Sequence, residues 1–174
     1  ASATATLQIG DNVKTIHPYM FSELPITEVT IPASVTKIEN DAFYGCNQLT
    51  DVTFAGSTEP LTIGYDTDGE DENLFQDNNK LATLNLNREL IYTFGDSNID
   101  TSSEGLFGEI PTLTNVTLGD QVKTLHKYMF AGSRITALTI PESVTTIGKG
   151  AFKGSGITSL HIPANVTSID NDAF

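Results

Sequence analysis

The sequence predicts a repeat solenoid: stacked coils of 22–23 residues, with a parallel β-sheet along one face and short helical or irregular turns along the other. Three observations predict it. A pattern clearest in Ile26–Gln48, ITEVTIPASVTKIENDAFYGCNQ, recurs, altered, seven times in 174 residues. Each copy holds about six apolar side chains and cannot bury them alone, so each must lean on a neighbour. The stretch Gly10–Phe21, GDNVKTIHPYMF, returns almost unchanged as Gly119–Phe130, GDQVKTLHKYMF.

Within one unit the elements follow in order. Val29, Thr30 and Ile31 alternate apolar and polar and are β-branched, the mark of a short half-buried strand. Pro32 ends it, because proline has no N–H to give to a ladder. Val35 and Ile38 turn inward across an irregular bend. Asn40 or Asp41 is placed to cap a single helical turn carrying Ala42 and Phe43. Gly45 lets the chain reverse, and Leu49 opens the next copy.

Along the chain, coils start near residues 4, 26, 49, 81, 113, 135 and 157, all within one domain. The third, from Leu49 to Leu81, and the fourth, from Leu81 to Leu113, are expanded to one equal, greater length, with insertions near 61–73 and 92–105. The near-copy is displaced from Gly10 to Gly119, and Ile26 and Ile135 share that offset. A block of four coils, two short and then two long, has therefore been duplicated. At strand spacing, seven coils make a rod or gentle arc on the order of 30 Å long. Asp172-Ala173-Phe174 stops where earlier copies continue, so the chain is expected to be a fragment of a longer surface protein.

Ile26, Val29, Ile31, Pro32, Val35, Ile38, Ala42, Phe43, Gly45 and Cys46 fall at the positions of a known signature. The pattern resembles the BspA-like leucine-rich repeats, also called the Treponema pallidum type. The resemblance covers essentially the whole chain. It implies a right-handed leucine-rich-repeat superhelix, and a bacterial surface protein that adheres to host extracellular-matrix proteins, host cells or other bacteria.

The net charge is −13, and residues 49–112 alone carry −11. That balance argues against a nucleic-acid partner. There is no signal peptide, membrane-length apolar run or lipidation motif, so no membrane insertion is expected of this chain. Cys46 is the only cysteine, expected as a buried structural thiol. No metal-protease, phosphate-loop or nucleophile-elbow motif occurs, and no cofactor or catalysis is expected. His17 and His126 occupy one position in two copies, which suggests one structural role for both. In the repeated Tyr-Met-Phe, the Phe is expected in the core and the Tyr half exposed.

Two surfaces are candidates for binding. Outward strand positions stack into a ladder of Gln8, Thr30, Thr53, Asn85, Thr117, Thr139 and His161. It is either a hydrated face or a shallow hydrogen-bonding surface for a large glycan or protein. The paired insertions set Asp66 against Asn98, Asp68 against Asp100 and Glu72 against Glu104, an oxygen density that calcium would accept. Tyr65 and Tyr92 stand beside them as apolar anchors. The alternative for these loops is a solvated acidic flank. The expected function is a non-catalytic adhesion module at the cell surface or secreted. A structural spacer and a carbohydrate-binding module of a glycan-utilisation system are the alternatives.

Overall fold

The computed structural model describes residues 5–64, 74–75, 77–92 and 105–174, and the backbone alone of Tyr92. Twelve short strands lie among them: β1 (Thr6–Gln8), β2 (Thr15–Ile16), β3 (Glu28–Ile31), β4 (Lys37–Ile38), β5 (Asp51–Phe54), β6 (Leu61–Ile63), β7 (Thr83–Leu86), β8 (Leu90–Tyr92), β9 (Asn115–Leu118), β10 (Thr124–Leu125), β11 (Thr146–Ile147) and β12 (Ser168–Ile169). All pair in parallel, and the fold is a repeat solenoid.

The first face carries a five-stranded sheet in the order β1-β3-β5-β7-β9. Its register runs Thr6, Glu28, Asp51, Thr83, Asn115, two short steps along the chain followed by two long ones. Long and short coils thus enter the sheet alike. Val29, Ile31, Val52, Phe54, Leu84 and Leu86 turn inward and are buried. The strand period of two puts their polar neighbours outside.

The second face, expected to hold only helical or irregular turns, carries two narrow sheets instead, β2-β4-β6-β8 and β10-β11-β12. The Thr-Ile, Lys-Ile and Thr-Leu pairs each present one inward apolar residue on an extended backbone, so two residues suffice to pair. Leu61–Ile63, counted with the insertion from sequence, is strand β6 and pairs with β4. Most of the extra residues of the third coil, and all of those of the fourth, therefore follow β6 and β8.

At the third corner every coil places a phenylalanine. Phe21, Phe43, Phe75, Phe107, Phe130, Phe152 and Phe174 stack as one column, with centroids 5.5–6.0 Å apart and planes within 11–27°. Offset stacking adds about 0.5–1.5 kcal/mol per pair beyond area burial. The expected helical turn at this corner is absent, and the described residues contain no helix. The reason is local: Asp41 (φ 50°) and Gly45 (φ 65°) flank Phe43 in the left-handed region, as Tyr128 and Gly132 flank Phe130. A right-handed helix cannot run through such residues, and aspartate tolerates that backbone better than most.

The first sheet also ends sooner than expected. Residues 137–140 and 159–162 of the last two coils are not strands. Ala55, Asn87 and Gly119 close the earlier strands by donating N–H to Ile31, Phe54 and Leu86. Pro141 and Pro163 stand at that position and have no N–H to give. Pro32 has the same effect in the second coil, where β1 and β3 pair over only three residues.

Candidate functional site

The sheet ladder is built from register. Gln8, Thr30, Thr53, Asn85 and Thr117 pair one on the next. Thr30 and Thr117 are exposed, while Thr53 and Asn85 are half-buried and bonded to each other, Asn85 Nδ2 to Thr53 Oγ1 at 3.2 Å. The adjacent row holds Thr6, which donates to Glu28, and Asp51, which accepts from Thr50 at 2.7 Å. Thr139 and His161 are exposed, but no strand pairing joins them to the ladder. The expected seven-residue row is five residues in register and two beyond its end.

At that end the surface is concave. A groove of about 320 Å³ runs between β9 and the outward segments of the last two coils. Thr117, Thr139 and Ser159 line it with hydroxyls, and Leu118 and Leu138 with buried apolar groups. A second groove, of about 490 Å³, lies at the phenylalanine corner of the first three coils, with Glu23, Tyr44 and Asp77 around it. Asp77 beside the Tyr44 hydroxyl pushes that phenol above its ordinary pKa. Neither groove is legible in sequence, because each is walled by residues from three coils.

Asp66, Asp68, Glu72, Asn98, Asp100, Glu104 and Tyr65 lie outside the described residues, as does the side chain of Tyr92. Among the described residues no cluster of His, Cys, Asp or Glu is placed to hold a metal ion. No described helix is long and apolar enough to cross a membrane.

The two equivalent histidines do not share a role. His17 is exposed and its Nδ1 lies 2.9 Å from Glu39 in the next coil. Lys37 first, then His17, hold the Glu39 carboxyl below its ordinary pKa. His126 is half-buried, with Nε2 2.8 Å from the Leu90 carbonyl of the preceding coil, and burial pushes its pKa down. The difference comes from the neighbour: a long coil precedes His126. Here β8 and β10 do not pair, and side chains cross the seam instead. The Glu89 carboxylate accepts from the N–H groups of Lys123 (2.6 Å) and Thr124 (3.2 Å).

Arg88 carries no signal in the sequence beyond being one of few bases. Its side chain is fully buried. It donates to the Val35 carbonyl at 2.9 Å and the Glu59 carbonyl at 2.8 Å, joining the fourth coil to the second and third. Burial lowers its pKa. Cys46 is buried as expected, its thiol donating to the Phe21 carbonyl at 3.1 Å and raised in pKa by burial.

A six-copy model of the BspA type leucine rich repeat region matches residues 2–97 and 71–174. The chain belongs to this family. BspA-type repeats thus account for both the short and the long coils. Among solved structures, a leucine-rich repeat protein from Bacteroides ovatus is similar at TM-score 0.62 and 22% identity, covering 93% of this chain and 38% of that one. One from Eubacterium ventriosum is similar at 0.54 and 24%, covering 93% and 45%. The pneumococcal vaccine antigen PcpA is similar at 0.52 and 19%, covering 98% and 41%. At these identities the likeness is one of fold. The BspA-type chain spans about two fifths of the length of each. No curated protein sequence matches it.

Proposed function

We propose that this BspA-type chain is a non-catalytic binding module displayed at a bacterial cell surface, contacting host or bacterial surface proteins or glycans. The observation that carries the reading is the hydroxyl and amide row of the first sheet, exposed at Gln8, Thr30 and Thr117, held in register and ending in a groove. A surface fixed by backbone pairing loses little freedom when it is bound, which lowers the ordering cost of association. Repetition lets weak contacts add along a large partner. Family membership supports the absence of catalysis, since repeats of this kind serve as scaffolds.

A spacer is the second reading, favoured by the unbroken phenylalanine column, which would hold a flanking domain at fixed distance.

The test is saturable binding to immobilised matrix proteins, bacterial surface proteins and glycans at physiological salt, with calcium and with chelator. The partner is captured by wild type and lost in a folded variant carrying Thr30→Lys and Thr117→Lys. Capture that needs calcium assigns the contact to the insertions bearing Asp66, Asp68, Glu72, Asn98, Asp100 and Glu104. No capture of any member by folded protein replaces adhesion with the spacer.

A further inference from the structure

We infer that the groove at the phenylalanine corner of the first three coils is a saccharide site, taking an uncharged hexopyranose unit by its ring face and hydroxyls. The inference rests on the binding reading above. It names the ligand class and adds a contact at this corner to the row on the sheet.

The groove follows from one position of the repeat. Two residues after the column phenylalanine the backbone is left-handed, at Glu23 (φ 58°), Gly45 (φ 65°), Asp77 (φ 61°) and Glu109 (φ 53°). Stacking sets these residues in a row. Glycine in the second coil leaves a gap between Glu23 and Asp77, where an added Cβ would lie 3.3 Å from the Glu23 Cγ. The gap opens into about 490 Å³, room for about one or two sugar rings. Its walls are fixed to one another. The Glu23 N–H donates to the Tyr44 carbonyl at 2.7 Å, and the buried Asn78 Nδ2 donates to the Phe43 carbonyl at 2.9 Å. A site so held needs little ordering when it is filled.

The groups present suit a sugar. Tyr44 and Leu24, both half-buried, give the groove an apolar wall, against which the C–H face of a pyranose can pack. Around them stand the carboxylates of Glu23 and Asp77 and the amides of Asn47, Gln48 and Asn79. A carboxylate accepts from two neighbouring hydroxyls, and an amide both donates and accepts, which matches the adjacent hydroxyls of a hexose. Glu23 and Asp77 are two coils apart, about 10 Å of backbone at strand spacing. A pyranose ring with a hydrogen bond at each end spans such a gap. A cation already stands at the rim, since Lys80 Nζ donates to Gln48 Oε1 at 2.6 Å. An ammonium only donates, so Gln48 gives it oxygen and keeps its NH2 for a ligand hydroxyl. An acidic sugar meets two carboxylates and is repelled.

Titration followed by amide NMR shifts tests this. The probes are the methyl pyranosides of glucose, galactose and mannose. N-acetylneuraminic acid and N-acetyl-lysine methylamide serve as charged comparisons. At least one neutral pyranoside is expected to give saturable shifts centred on Leu24, Tyr44, Gly45, Gln48 and Asn79, and the acid none. Asp77→Asn keeps the left-handed turn, which asparagine tolerates, and weakens binding about tenfold. Tyr44→Ala abolishes it, with the melting temperature as the check on folding. Four results overturn the inference: no response to any pyranoside, shifts at Thr30 or Thr117 in place of the groove, undiminished binding by both variants, or saturation by the lysine amide alone. The last assigns the groove to a cationic side chain. Each leaves protein capture in the surface-partner panel standing. A panel that captures nothing leaves the titration standing, because it reads free saccharide.

Discussion

Gly10–Phe21 and Gly119–Phe130 differ at three positions of twelve and make the same backbone bonds to the coil that follows, yet their burial differs sharply. Tyr19 and Met20 are 57% and 52% exposed, whereas Tyr128 and Met129 are buried at 6% and 0%. Both tyrosines keep the same left-handed backbone, φ 54° and 53°, so the local turn survives the change of environment. What differs is the coil on either side. Tyr128 lies under Gly105 of a long coil and against Gly150, where an added Cβ would meet the ring at 2.2 Å. Tyr19 has Asp41 at the position of Gly150. In a solenoid the sequence of a coil sets its backbone, and its neighbours set its burial.

The comparison can be broken most severely at the phenylalanine. Phe130 is fully buried and stacks on Phe107 and Phe152, while Phe21 is half-buried and stacks on Phe43. Phe130→Ala should cost about 3–5 kcal/mol in urea unfolding, and Phe21→Ala less than half of that. Methionine should sharpen it next. Met129→Ala should cost about 2–4 kcal/mol and Met20→Ala about 0.5 or less, which melting temperatures will order. Giving the second copy the neighbour of the first is a smaller step. Gly150→Asp should displace the Tyr128 ring at about 1–3 kcal/mol and raise tyrosine accessibility to quenchers.

The smallest effect is that of pH. Burial disfavours the charged form of His126, so its folded pKa lies below the unfolded value of about 6.5. The unfolded chain then binds the proton first, and stability falls as pH drops from about 6.5 toward the folded pKa. Above that window the residue contributes no pH dependence. His126→Gln should flatten this slope in denaturation curves taken at several pH values. An unchanged slope would show that the histidine is not buried as described.

Much of the fold could be read from residues alone, because it follows from periods. Val29 and Ile31 alternate, Phe43 recurs and Gly10–Phe21 returns at Gly119, and each feature is too regular to arise by chance. Inner strands, the phenylalanine corner and the register of the long coils all follow. What could not be read depends on pairs of coils. Asp41 has the chemistry of a helix cap, and only the left-handed turn shows why no helix follows. Thr139 and His161 continue a pattern that pairing abandons after Thr117. His17 and His126 are equivalent by position, and the difference lies in residues far away in sequence. The calcium reading of Asp66 through Glu104 falls outside the described residues and stays an expectation.

Arg88 also governs how the solenoid comes apart. A stack whose coils touch only adjacent coils can melt from its ends, one unit after another, like an unwinding thread. The buried guanidinium grips the Val35 carbonyl two coils away as well as the Glu59 carbonyl one coil away. Opening any of these three coils strands a buried cation, so the second, third and fourth must open as one block. The short coils after them carry no such clasp among the described residues. The second to fourth coils are therefore expected to open together, and the short coils after them to open before that block does.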